Sequence, residues 1–563
     1  MRTSKTRSRR VTIIPTLVAE GHSLKKRYMV ILATYTSLLV SSCSSLQSNN
    51  LPESPGSAKS LATIMAADVP ERLFLQQVSS SSAIIKWRGK QNQLWFGTST
   101  TRINKRINAK TEHNHKYARL SGLAPDTQYY YAFNRTPLAD NISAFRTAPR
   151  TGEVPADGNT HIWLLGDSGT ATEQSGGHYS HAGEAIDVMN GFLKYNRESA
   201  NDEPLDLLLL LGDNAYLEGT DDQWQGAFFD IYPEIIRSVA TWPTIGNHEM
   251  GVGAPFDICV FRALPACEMG PVMMNMGGIS RSSDPDSYDS DGDGPDTSGM
   301  PYLNIFTLPT KAEVGGVPSG TEQYYSFNYG NVHVVSLDSQ LSNRDVNQRT
   351  AMRGWLVDDL SANQMDWTLV IFHHPPYSKG SNHDSDREQA EIDMRQTFAP
   401  VFEDYGVDVV YSGHAHSYER SWYINGHHGE SSSFDPAIHA HLNAQGQPSL
   451  GQAGEPYPQI TETSGADDHA VYTVAGSSGK ADKEKPCLEG AVLGCTLPDW
   501  LQHPAHRTFS DAKAGNGKPG YQKNGLALKG SVVIDANRER LSSRFIDEHG
   551  QVLDYFTITR DGR

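Results

Sequence analysis

Five short blocks set oxygen- and nitrogen-bearing side chains just beyond apolar runs of the chain. "GDSG" supplies Asp167 and "GDNAY" supplies Asp213 with Tyr216 three residues on. "GNHE" supplies Asn247 and His248, "VIFHH" supplies His373, and "SGHAHSYER" supplies His414 and His416. A single Gly-Asp is an ordinary turn, but five such blocks, each after an apolar stretch, are hard to explain as turns. Carboxylate, phenol, amide and imidazole together suit iron, zinc or manganese better than calcium or magnesium, which prefer oxygen alone.

Rigid elements must deliver these residues. The runs "HIWLLGD", "LDLLLLLGD", "VHVVSLD", "WTLVIFHH" and "VDVVYSGH" read as buried strands. They alternate with amphipathic stretches such as "AGEAIDVMNGFLKY" and "REQAEIDMRQTFAPVFEDY". Continuous apolar strands between helices imply α/β layers whose sheets are covered on their faces. Ligands of open α/β sheets bind beyond the carboxyl ends of the strands, which is where four of these five strands run into Gly-Asp, Gly-His or His-His. This region spans about 158–563, with polar or glycine-rich insertions near 251–301, 422–466 and 479–520 expected around the site mouth. Ahead of it, residues 67–149 carry short strands and turns ("SAIIKW", "LAPDTQYYYAF", "AFRTAP") and read as a small all-β sandwich.

The ordered blocks GDxG, GDxxY, GNH(E/D), VxxH and GHxH resemble the signature of the metallophosphoesterase superfamily, and specifically its purple acid phosphatase branch. "WPTIGNHE", "YSFNYGNVHVVSLD" and "GHAHSYER" extend the likeness. So does the leading β module, whose Leu123, Pro125, Thr127 and Tyr129 resemble the tyrosine corner of fibronectin type III-like domains. The resemblance implies a layered β-sandwich flanked by helices. It also implies two metal ions about 3.5 Å apart, Fe(III) with Zn, Fe or Mn. Asp213 would bridge them; Asp167, Tyr216 and His416 would complete one site, and Asn247, His373 and His414 the other. Tyr216 is the distinguishing ligand, because a tyrosinate favours Fe(III) and gives a purple colour.

Such a site would hydrolyse small phosphate monoesters by attack of a metal-bound hydroxide, in the service of phosphate scavenging. His248 would donate the leaving-group proton or hold the phosphate. His383, in "SNHD", is either a second helper or a surface loop residue, and His374 would support His373 from behind. A phosphodiesterase or nucleotidase on the same core is the alternative, and a non-catalytic surface binding protein is a third reading. "DSDGDG" places Asp289, Asp291 and Asp293 as the start of a calcium loop. The twelfth position is Met300, so the bidentate acid is missing, and a solvated acidic loop is the competing account.

The net charge of −17 over 563 residues argues against specific nucleic-acid binding, and the sequence sets no oligomeric state. Residues 1–42 read as a signal peptide: Lys25, Lys26 and Arg27 precede "MVILATYTSLLV", which is too short to span a bilayer. "LVSSC" then resembles a bacterial lipoprotein site with Cys43 lipidated, and residues 43–66 form a flexible tether. The chain is thus expected to be exported and held to the cell envelope by lipid, with Ser44 favouring the outer membrane; the alternative is an ordinary secretory signal with an incidental cysteine and a periplasmic or extracellular protein. Cys259 with Cys267 and Cys487 with Cys495, each pair eight apart, suit two disulfides in an oxidising compartment.

Overall fold

A computed structural model describes residues 70–169, 183–200, 202–216, 219–249, 300–380, 383–459, 469–482, 499–510 and 522–560, plus a two-strand ladder of Phe256–Asp257 with Met273–Met274. Cys43, Cys259, Cys267, Cys487, Cys495, Asp289, Asp291 and Asp293 lie outside the described residues, as do the leader and tether. All described residues belong to one compact unit, Ser60–Arg563.

Each apolar run read as a strand is one. Thr160–Leu165, Leu207–Leu210 and Ala240–Pro243 lie parallel in one sheet. That sheet is extended by the antiparallel strands Gly530–Ala536, Arg540–Asp547 and Val552–Thr559. Val332–Ser336, Trp367–Ile371, Val409–Ser412 and Ala470–Ala475 lie parallel in a second sheet, edged by Tyr325–Tyr329 and Tyr418–Ile424. The two sheets pack face to face, with Trp242 of one stacked on Phe327 of the other at 3.8 Å between ring centroids. Leu207 to Leu211 are all fully buried, and burying each such side chain contributes about 2 kcal/mol. That burial makes the leucine strand a fixed rod.

Helices cover the outer faces. On Val346–Ala362 the buried residues Met352, Trp355, Leu356 and Leu360 meet Val335, Val370 and Phe372 of the second sheet. Glu184–Ser199 packs on the first sheet, where Gly191 is pressed against the turn after Arg540–Asp547. A Cβ there would stand 2.5 Å from the Asp547 carbonyl oxygen, so a glycine is what lets the helix approach.

The N-terminal β module has two antiparallel layers. One is a four-stranded sheet of Lys105–Asn108, Gln93–Gly97, Gln128–Ala132 and Ser143–Arg146. Trp87 of the other layer packs on Phe133, and the buried Tyr129 hydroxyl accepts from the Ala124 N–H at 2.9 Å. That other layer continues into the large sheet: Glu71–Gln76 pairs with Ala240–Pro243 through Leu75 and Ala240, giving eleven strands in all. Arg72 and Arg88 clamp Asp221 across the same junction. The module is therefore welded to the site-bearing sheet one strand away from the leucine strand.

Candidate metal centre

The strand ends converge. Thr160–Leu165 leads to Asp167, Leu207–Leu210 to Asp213, Ala240–Pro243 to Asn247 and His248, Trp367–Ile371 to His373, and Val409–Ser412 to His414 and His416. Asp167, Asp213 and His414 all adopt positive φ (54°, 54° and 70°). Left-handed backbone costs a non-glycine residue free energy and recurs where function over-determines the chain. Two glycines make room. A Cβ on Gly212 (φ +91°) would stand 2.6 Å from His373 Nδ1, and one on Gly246 would stand 2.3 Å from Asp213 Oδ1.

The polar atoms form two groups that share one oxygen. In the first, the Tyr216 hydroxyl lies 3.0 Å from Asp167 Oδ1, 3.2 Å from Asp213 Oδ2 and 3.2 Å from His416 Nε2. In the second, Asn247 Oδ1 lies 2.9 Å from His373 Nε2 and 3.0 Å from His414 Nδ1, and those two ring nitrogens stand 3.2 Å apart. Asp213 Oδ2 belongs to both, because it is also 3.3 Å from His373 Nε2. Ligands about 2.1 Å from a tetrahedral cation lie roughly 3.4 Å from one another, so both groups have the edge lengths of a coordination shell. With His373 Nδ1 engaged by the Leu211 carbonyl and His414 Nε2 by Glu388, the rings, when neutral, turn lone pairs toward the Asn247 oxygen, which makes a ligand set. The donors therefore fit a pair of metal ions.

Supporting contacts orient these donors. His373 Nδ1 meets the Leu211 carbonyl at 2.8 Å, which points Nε2 into the centre. His414 Nε2 meets Glu388 Oε2 at 2.9 Å, and the same carboxylate holds His383 Nδ1 at 2.8 Å. The His383 ring packs at a 45° tilt on the His414 ring, 3.8 Å between centroids, and is thus brought to the centre. His248 is also there: its N–H donates to Asp213 Oδ1 at 2.8 Å, and its Nε2 is 3.8 Å from Asp213 Oδ2. His374 is buried behind His373, with Nδ1 2.9 Å from Ser339 Oγ. Together with His373 and His414 it also makes a cluster able to hold a metal.

Charges are strongly coupled here. Burial alone would raise the Asp213 carboxyl, but His373 and His248 outweigh it and hold it well below the carboxylate range. Burial would lower His373, yet Asp213 and Asp167 carry it up to about 10. Burial, then the charge of His383, brings His414 down to about 4. A proton on His373 thus competes with any metal for that nitrogen.

Residues 160–418 match the family model described as calcineurin-like phosphoesterase. That stretch is similar to calcineurin-like phosphoesterases. An uncharacterized protein of Mycobacterium tuberculosis is 25% identical over 342 residues, 58% of this chain and 54% of its own. The chain thus spans about half the length of that relative. A phosphoenolpyruvate phosphatase of Allium cepa is 23% identical over 424 residues, 71% of this chain and 73% of its own. A purple acid phosphatase from yellow lupin (Lupinus luteus) seeds superposes with a TM-score of 0.54 at 17% identity, over 88% of this chain and 75% of that one. The likeness shows a common fold, the metallophosphoesterase fold.

Several contributors carry no sequence signal of their own. Glu249 is fully buried and accepts from the N–H groups of Asp213, Asn214 and Gly246 at 2.8, 2.6 and 2.7 Å. Burial and the Asp213 charge push it up to about 8. Asp482 meets His416 Nδ1 at 3.2 Å, and Ser339 Oγ accepts from the N–H groups of His373 and His374. Glu249 stood inside the "GNHE" block, so its place beside Asn247 and His248 was the available clue. Glu388 stands at the start of the helix Gln389–Asp393, and Asp482 and Ser339 lie in loops, with no spacing rule to mark any of them.

Proposed function

We propose that this chain is a dimetal phosphoric monoester hydrolase of the purple acid phosphatase kind. Asp167, Tyr216 and His416 would hold Fe(III), Asn247, His373 and His414 would hold Zn, Fe or Mn, and Asp213 would serve both. The observation that carries the reading is the single oxygen, Asp213 Oδ2, lying within 3.3 Å of both donor groups. When bound, such a pair of cations supplies the positive charge that draws a phosphate anion into an acidic protein, and it acidifies water.

The chain's own residues do the rest. His248, 15% exposed in its side chain and 3.8 Å from the shared oxygen, is placed to hand a proton from Nε2 to the departing alkoxide. Glu388 engages Nδ1 of His383, leaving Nε2 for a phosphate oxygen or a proton. Glu249 keeps the Asp213 and Gly246 turns in register, so that neither strand end drifts.

The β module is of fibronectin type III-like kind in this proposal, supported by the Tyr129 contact to Ala124. The chain is exported, with Cys43 carrying the lipid and the two cysteine pairs oxidised. Mass spectrometry of the purified protein would detect that lipid, and its absence from Cys43 would remove the anchor from the proposal.

Initial rates on a phosphate monoester and the matching diester, with iron and zinc loaded, test the central claim. A strong monoester preference is expected. A diester preference would turn the reading to a phosphodiesterase, and no rate on either with both metals bound would overturn it.

A further inference from the structure

The segment after Ala470–Ala475 runs back over the first donor group and is tied down along its length. The Gly476 N–H donates to the Ser417 carbonyl at 3.2 Å, the Ser478 N–H to the Gly166 carbonyl at 3.0 Å, and the Asp482 N–H to the His416 carbonyl at 3.0 Å. Between these ties sits Lys480. Its side chain is buried, and its Nζ lies 3.9 Å from the centroid of the Tyr216 ring. Burial lowers its pKa from the ordinary lysine value, and the negative charges of Asp482, Asp167, Asp213 and Glu184 oppose that shift and favour the ammonium.

A cation over an aromatic face is attracted by the ring's π electrons, and it in turn draws electron density toward itself. The effect grows in a water-poor site, where charges are weakly screened. Here the ring is the one whose oxygen lies among Asp167, Asp213 and His416. We propose that Lys480 is a positioning residue that weakens electron donation from Tyr216 toward the metal that residue would hold, and so sets that metal's electronic state. This rests on the reading of Tyr216 as a ligand given above.

An ammonium beside the ring lowers the energy of the ring's highest filled orbital. A transition that moves an electron from ring to metal then needs more energy, and the metal becomes easier to reduce. A merely structural lysine would alter neither.

The experiment compares the visible absorption band and the reduction potential of the iron-loaded full chain with those of Lys480→Met, Lys480→Gln and Lys480→Arg, with bound metal counted in each. The expected result is a band at longer wavelength and a lower potential in Lys480→Met and Lys480→Gln at full metal content. Lys480→Arg, which keeps a cation, should stay near the parent. An unmoved band and potential in fully loaded Lys480→Met or Lys480→Gln would overturn the inference while leaving Tyr216 a ligand. If the parent chain binds iron but shows no visible band, the assignment of Tyr216 fails, and the role of Lys480 fails with it. Two neutral variants guard against one that does not fold.

Discussion

The two halves of the centre are made of different chemistry. Beyond the shared Asp213, the first half holds a carboxylate, a phenol and one imidazole, while the second holds an amide and two imidazoles. Oxygen anions favour a hard, highly charged cation; neutral nitrogen donors favour a softer divalent one. On the proposed reading, one fold would hold two unlike ions side by side. Their identity would then be set by the residues that follow each strand, not by the strands themselves.

The largest break in that comparison is Asp213→Ala, since its oxygen serves both halves. Both metals should be lost and turnover should fall at least about a thousandfold, on the scale of removing a central electrostatic partner. The N-terminal β module should stay folded, as metal analysis with circular dichroism would report. Two metals still tightly bound would refute the bridging role.

Tyr216→Phe should affect only the oxygen-rich half, with a loss of activity of about 10- to 100-fold, no visible band, and one metal retained. Glu249→Gln touches no donor directly. It weakens the hold on the Asp213 and Gly246 turns and should cost about tenfold in affinity for both metals alike. Selective loss from one half would show that Glu249 supports that half alone.

The imidazole half carries a pH signature. His373 is held near 10 without metal, so loading at neutral pH must release its proton, and affinity for that ion should rise with pH up to about 10. Calorimetry in buffers of different ionisation enthalpy would count the proton. The sign for the metal-free fold follows from the same shift. The folded value lies above the unfolded value of about 6.5, so this contribution is complete below that pH and fades as pH climbs through about 10. Melting temperatures of the metal-free chain should therefore fall across that window.

The smallest effect is a control. Asp345 caps the helix Val346–Ala362 by accepting from the Asn347 and Gln348 N–H groups. Asp345→Ala should cost about 1 kcal/mol of stability and leave the metal ratio of the two halves unchanged.

The strands and the residues at their ends were legible because burial on both faces forces unbroken apolar runs, and polar residues that interrupt such runs stand out. The helix Val346–Ala362 was not drawn from the sequence, although Met352, Trp355, Leu356 and Leu360 mark one face and Asp345 its start. Its charged residues mask the period. The fusion of the β module with the main sheet was hidden too, because it rests on the single pairing of Leu75 with Ala240, which leaves no local pattern. Lys480, Glu388 and Asp482 act through contacts between distant parts of the chain, which composition and spacing do not record.

The left-handed backbone at Asp167, Asp213 and His414 has a consequence for the protein's descent. Glycine adopts that conformation without strain, so a lineage released from the need to hold metal would find these replacements favoured by backbone conformation alone. Such a lineage would lose its chemistry first at the tips of its sturdiest strands and keep the scaffold intact. The centre persists only as long as selection acts on turnover itself, since the fold by itself gives no reason to keep it.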